Sequence, residues 1–173
     1  MYTLRIKKAT TKKLKAILLD LVLIYGKVKD TDKLGMWYCC TCSVFARWDT
    51  MQWGHFMPQK KGLSTKFELD NVNLQCSGCN GRGNQWEQHK HWRYIDKRYY
   101  MWRADELTQQ ADKIRQWKIL ELEEAIEDVE NKLLDLCAKH WQERTNILIQ
   151  YITKNSQRKA NCRNLLARIE NKI

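Results

Sequence analysis

Four of the seven cysteines fall into two Cys-x-x-Cys pairs, Cys39 with Cys42 and Cys76 with Cys79, and 33 residues, 43–75, lie between them. Two such knuckles can set four thiolates tetrahedrally around zinc at about 2.3 Å per bond, a closed structural site with no position left for water. An odd cysteine count with this spacing speaks for metal rather than disulfides. Cys40, next to Cys39, is an alternative first ligand, whereas Cys137 and Cys162 fall on or beside a helical stripe and read as packing residues. A zinc staple supplies folding free energy that a short segment with few large aliphatic side chains lacks. It supplies no chemistry, so any reaction falls to groups held between or beside the knuckles.

Between the knuckles stands a single histidine, His55, in the run Gly54-His55-Phe56, followed by Pro58, Gln59 and the lysines Lys60, Lys61 and Lys66. An imidazole with a pKa near neutrality is the usual group for taking a proton from water, although a lone histidine is as often a satisfied core side chain. Asn71 comes five positions before Cys76, and Asn80 directly follows Cys79. The order His, Asn, Asn threaded through paired zinc knuckles resembles the HNH (ββα-metal) nucleases. It is most similar to the phage NinG (Rap) family of recombination endonucleases, through CCTC (Cys39–Cys42), Trp48, GHF (Gly54–Phe56), Asn71, QCSGCN (Gln75–Asn80) and Gly83 with Asn84.

That resemblance, which covers roughly residues 10–107, implies a DNA endonuclease acting on branched recombination intermediates such as Holliday junctions or D-loops. It makes His55 the general base, Asn71 the residue that holds the connecting loop and Asn80 a ligand of a catalytic Mg²⁺ or Mn²⁺. The pattern departs from the family at Gly54, where many HNH sites carry Asp, and at Gln52, where the family often has an acidic residue. Asp49, Gln52, Asp70 and His89 are the candidates for the second ligand. Lys60, Lys61, Lys66 and Arg82 are expected to grip phosphates. The stretch from Trp86 to Trp102 interleaves rings with Lys90, Arg93, Lys97 and Arg98, and can either stack bases or build core.

These residues need a frame. All seven glycines and Pro58 lie between Gly26 and Gly83, so the turns of the chain are concentrated there. Before them, residues 10–25 carry Leu14, Ile17, Leu18, Leu21, Val22 and Tyr25 at helical spacing, with Gly26 as the expected stop. After them, from about Ala104, the composition predicts long helix. Ile119, Leu122, Ile126, Val129, Leu133 and Leu136 form a seam expected to pair with a second copy in a coiled coil, an intramolecular helical hairpin being the alternative. A further stripe at Leu165, Leu166, Ile169 and Ile173 follows a weak break at Asn155 and Ser156.

The expected architecture is therefore α+β and mainly α: a basic N-terminal helical region (1–36), a zinc-stapled core (37–103) and a helical coiled-coil tail (104–173). The net charge of +11 lies entirely in residues 1–103, which favours a phosphate-rich partner through counterion release. No apolar run approaches the roughly 20 residues needed to cross a bilayer, and the sequence reads as cytoplasmic, in the family's case within a bacterial host. The rival reading is a noncatalytic zinc module that binds DNA and dimerises or recruits a partner through its helices.

Overall fold

The structure, a computed structural model, describes residues 10–32, 34–60, 64–82, 85–139 and 141–171. Thr10 opens α1 (Thr11–Val28), its hydroxyl accepting from Lys13 N, and the leucine stripe of that helix is buried at Leu14, Leu18 and Leu21. The helix does not stop at Gly26. A Cβ there would stand 2.9 Å from Val72 Cγ1, so the glycine serves a close approach between α1 and a strand, and the helix runs on to Val28.

Two small antiparallel sheets follow, giving the α+β, mainly helical class expected. β1 (Met36–Tyr38) pairs with β2 (Phe45–Arg47), Met36 opposite Arg47; β3 (Gln52–His55) pairs with β4 (Val72–Gln75), Gln52 opposite Gln75 and His55 opposite Val72. Next come α2 (Ser77–Arg82), α3 (Gln85–Arg98) and α4 (Arg103–Ala111). Phe56 and Met57, just beyond β3, pack with Ile95 of α3 and Ala104, Leu107 and Ala111 of α4 into a small core of their own.

The C-terminal part is not one long helix. The chain breaks over residues 112–118 without any glycine or proline, because α4 belongs to the core around Phe56 and the next helix belongs elsewhere. Trp117 pins the crossing segment edge-on to Phe67, at 5.5 Å between ring centroids. Four helices then follow: α5 (Ile119–Lys139), α6 (Trp141–Thr153), α7 (Ser156–Asn161) and α8 (Arg163–Glu170). The break expected at Asn155 is present, with the Asn155 side chain capping α7 by accepting from Arg158 N at 2.9 Å.

These helices fold back on α1. Leu122, Val129 and Leu133 of the predicted seam, with Leu148, Ile152, Leu165 and Ile169, share one buried cluster with the leucines of α1. The seam from Leu122 to Leu133 therefore has a partner within the chain, while Ile119 at its start is 50% exposed. Asn161 donates to Asp20 Oδ2 at 2.7 Å, tying α7 to α1.

Lys27 marks the junction of head and helices. Its ammonium, buried in α1, donates to Trp48 O at 3.0 Å and Met51 O at 2.9 Å, and the rings of Trp48, Trp53 and Tyr151 surround it at 5.2, 5.0 and 4.9 Å. Burial, followed by the charge of Arg158, lowers its pKa to about 8. Trp53 Nε1 donates to Leu23 O at 2.8 Å and completes the joint.

Candidate functional site

Two turns bring the cysteines together. Cys39 and Cys42 lie on the connection between β1 and β2, where Ser43 adopts a left-handed backbone (φ 60°) and donates from its N–H to Cys39 O at 2.9 Å. Cys76 follows β4 and Cys79 sits within α2, one turn on. The first knuckle is tied to the strand of the second by Cys40 N donating to Leu74 O at 2.9 Å.

All four Sγ atoms lie within 4.8 Å of one another, against about 3.8 Å for the edge of a tetrahedron with 2.3 Å bonds. Burial opposes a thiolate at Cys39, but the backbone N–H groups of Cys42, Cys76 and Thr41 outweigh it and bring its pKa below the ordinary value. At Cys79, burial and then the crowding of neighbouring thiols push the pKa up. A divalent cation relieves that crowding by turning the thiols into ligands. The group can hold a structural metal ion such as zinc. Cys40 is not part of it: its sulfur turns to Thr41 Oγ1 at 3.7 Å, and burial raises its pKa. Cys137 and Cys162 are buried in the helical core, as packing residues should be.

His55 ends β3, and the backbone just beyond it is clamped by Asn71. Asn71 Oδ1 accepts from Met57 N at 2.7 Å, while Nδ2 donates to Met57 O at 3.1 Å and Thr65 O at 3.0 Å. Asn71 O also accepts from Phe56 N at 2.9 Å. A fully buried amide with every polar atom engaged fixes a turn well, and here the turn is the one that aims His55. The imidazole is half-buried, with Nε2 3.3 Å from Gln59 Nε2. An amide nitrogen can only donate, so Nε2 accepts and Nδ1 carries the proton in this assignment. Burial and then the charge of Lys66 lower the His55 pKa to about 4, so the ring is neutral at pH 7 and able to accept a proton.

Behind this lies a residue that the sequence did not single out. His91, fully buried on α3, packs edge-on against Phe56 at 5.6 Å and closes a polar chain. Lys29 donates to the Tyr99 hydroxyl; Tyr99 donates to Asn73 Oδ1 at 3.2 Å; Asn73 Nδ2 lies 3.2 Å from His91 Nε2. An ammonium can only donate, so the direction of the whole chain is set and His91 Nε2 accepts. Burial, then the charges of His55 and Lys29, lower its pKa to about 3. The spacing of four from Glu87 to His91 to Ile95 is the signal that could have turned His91 inward.

The candidates for a second ion ligand separate. Asn80 Nδ2 donates to Gln52 Oε1 at 2.8 Å, so those two are together. Asp49 is paired with Arg47 at 3.2 Å, Asp70 with Arg103 at 3.0 Å, and His89 stacks on Trp86 on the exposed side of α3. Among the described residues no group of three or more His, Cys, Asp or Glu side chains gathers apart from the four cysteines. Gly54 has a steric reason: a Cβ there would fall 2.2 Å from Gln75 Oε1, and the Gln75 amide is held by Thr41 Oγ1 at 2.6 Å. Gln75 occupies the space that an aspartate before His55 would need.

Of the basic residues, Lys66 lies near enough to His55 to depress its pKa and shares a surface groove with Lys12 and Lys15 of α1. Lys60 and Arg93 are exposed. Arg98 has a structural task, pairing with the buried carboxylate of Asp30 at 3.1 Å. Lys61, Gly83, Asn84 and the side chain of Arg82 lie outside the described residues. No helix among the described residues is long and apolar enough to cross a membrane.

Comparison with known proteins gives no match to a family model, a curated protein or a solved structure.

Proposed function

We propose that this protein is a metal-dependent DNA endonuclease of the HNH type, acting on recombination intermediates such as branched DNA. One observation carries the reading: His55 ends β3, the turn after it is clamped by Asn71, and the four-cysteine group and the helix bearing Asn80 follow the opposite end of the same strand pair, where Gln52 meets Gln75. In the mechanism, neutral His55, its Nε2 released from the Gln59 amide, takes a proton there from a water that attacks phosphorus in line. A bound phosphate raises the imidazole's pKa towards neutrality, since nearby negative charge favours the protonated form. Asn71 and the Phe56–Met57 backbone keep the ring aimed, and Lys66 with Lys12 and Lys15 draws the backbone phosphates in.

Gln52 and Asn80 offer neutral amide oxygens, the hard donors that Mg²⁺ or Mn²⁺ takes, and would hold the ion together with phosphate oxygens and water. When bound, the ion would offset charge on the leaving oxygen. The metal-loaded His55→Ala protein is expected to cut linear and branched DNA at least about 100-fold more slowly than the unaltered chain, the usual worth of a general base. Cleavage at the unaltered rate would remove His55 from the mechanism.

A second reading has its own support. Gln75 fills the space beside Gly54, and Gln52, where the family often has an acidic residue, is hydrogen-bonded to Asn80, which suits a noncatalytic, metal-stapled DNA-binding module. DNA binding without any Mg²⁺- or Mn²⁺-dependent nicking would favour it.

A further inference from the structure

The exposed face of α3 and the turn that follows it form a second feature that the hairpin site does not use. Trp86, Lys90, Arg93 and Lys97 recur at steps of four, three and four, so they line one side of the helix. Lys90 Nζ lies 5.3 Å from the Trp86 ring centroid. Among the described residues of that side none is acidic: Glu87 is buried, and Asp96 accepts from Ala104 N at 2.9 Å.

At the end of this stripe three consecutive large side chains stand in water. Tyr100, Met101 and Trp102 are 49%, 68% and 65% exposed, although the turn bearing them is firmly built. Trp102 holds a left-handed backbone (φ 80°) that a residue with a Cβ adopts at a cost. Arg103 N donates to Tyr100 O at 3.2 Å and Glu106 N to Trp102 O at 3.0 Å. The buried Arg103 side chain pairs with Glu68, Asp70 and Glu106, and the Tyr100 hydroxyl donates to Glu106. The exposed carboxylate of Glu106 is thus already engaged.

We infer that this surface is a docking site for a DNA strand with unpaired bases: Lys90, Arg93 and Lys97 follow the phosphates while Met101 and Trp102, with Tyr100 beside them, stack the bases. A cationic track leading to exposed rings is the chemistry by which single strands are held, and it needs no base sequence. An apolar protein partner would explain the turn but leave the acid-free basic stripe without a role. The inference rests on the DNA-binding half of the proposed function and not on cleavage.

Its test is binding of the full chain, with no divalent ion added, to a fluorescein-labelled single-stranded oligonucleotide and to a blunt duplex of the same sequence, read by anisotropy. Met101→Ser with Trp102→Gly is expected to weaken single-strand binding about tenfold or more, as expected for lost stacking, and duplex binding less than about twofold. Glycine relieves the left-handed backbone at 102, so this variant should melt no lower than the parent. Trp102→Asn, which also tolerates that conformation, serves as a second variant. Arg93→Glu with Lys97→Glu should weaken both forms and flatten the salt dependence.

Equal losses for strand and duplex on altering the turn, or no loss, would overturn the inference. So would sedimentation showing that the turn variant splits a dimer, which would assign the patch to a second copy. A protein that binds strands through Trp102 yet never cuts keeps this surface and loses the nuclease reading, whereas one that cuts while its strand binding ignores Trp102 does the reverse.

Discussion

The cysteine head and the helical core are held by different forces. Around the thiols only Cys39, Met51, Leu74 and Cys79 form a buried cluster, too little apolar surface to fold a segment rich in turns. The helical core instead buries leucine, isoleucine and valine from α1, α5, α6 and α8, and draws Trp48, Phe67 and Val72 of the head into the same cluster. The first region trades hydrophobic mass for a fixed arrangement of small turns, and that is where His55, Asn71 and Asn80 sit. Precision of placement comes from the Asn71 clamp and from the four-cysteine group, which can hold a metal ion; stability comes from the helices. The Lys27 cage and the Gly26–Val72 contact join the two.

The largest effect should come from removing the metal. Chelation, or Cys79→Ser, is expected to withdraw stabilisation on the order of 10 kcal/mol from the head while the helical signal in circular dichroism largely persists. A simultaneous loss of both would show one cooperative unit and break the contrast. Next, Leu133→Ala should lower stability by about 2–5 kcal/mol through the cavity it leaves against α1, with the metal content of the purified protein unchanged. At the joint, Gly26→Ala should cost about 1–3 kcal/mol by crowding Val72, and Val72→Ala should recover part of it. Additive losses in that pair would mean the contact is not what couples the regions.

The smallest effect at neutral pH concerns His91. Its folded pKa of about 3 lies below the ordinary 6.5, so the unfolded chain binds the proton more readily. The stabilisation from keeping His91 neutral is thus complete above about pH 6.5 and is lost progressively as pH falls towards 3. His55, shifted to about 4, acts in the same direction. His91→Gln should change the melting temperature little at pH 7 and flatten its decline below pH 6. An acid limb unchanged by the substitution would place the titration on other groups.

Local patterns were legible and long-range ones were not. Cys39, Cys42, Cys76 and Cys79 could be read because the two knuckles are each four residues long. Asn155 could be read because a cap acts within three residues. The apolar seam of α5 was also visible, but its partner lies in α1, about a hundred positions away, and periodicity does not say which stripe meets which. The break over 112–118 left no trace because it is imposed by where Leu107 and Leu122 must be buried. The roles of Asn73, Gln75 and His91 depend on what crosses from α3 and the first knuckle, so no single segment reveals them. In the mixed stretch from Trp86 to Trp102, Ile95 and Trp92 turn inward to build core while Trp86 and Trp102 stay exposed.

The bond from Asn161 to Asp20 spans 141 positions, and it fixes a schedule for synthesis. The four cysteines are all available once Cys79 has left the ribosome, so the group that can hold a metal ion is complete early. The leucines of α1 meet α5 only afterwards and α7 later still, a delay of roughly 7–28 s at about 5–20 residues per second. Until α5 emerges, the earliest helix of the core is a sticky surface without that cover, with Lys12, Lys13 and Lys15 at its start.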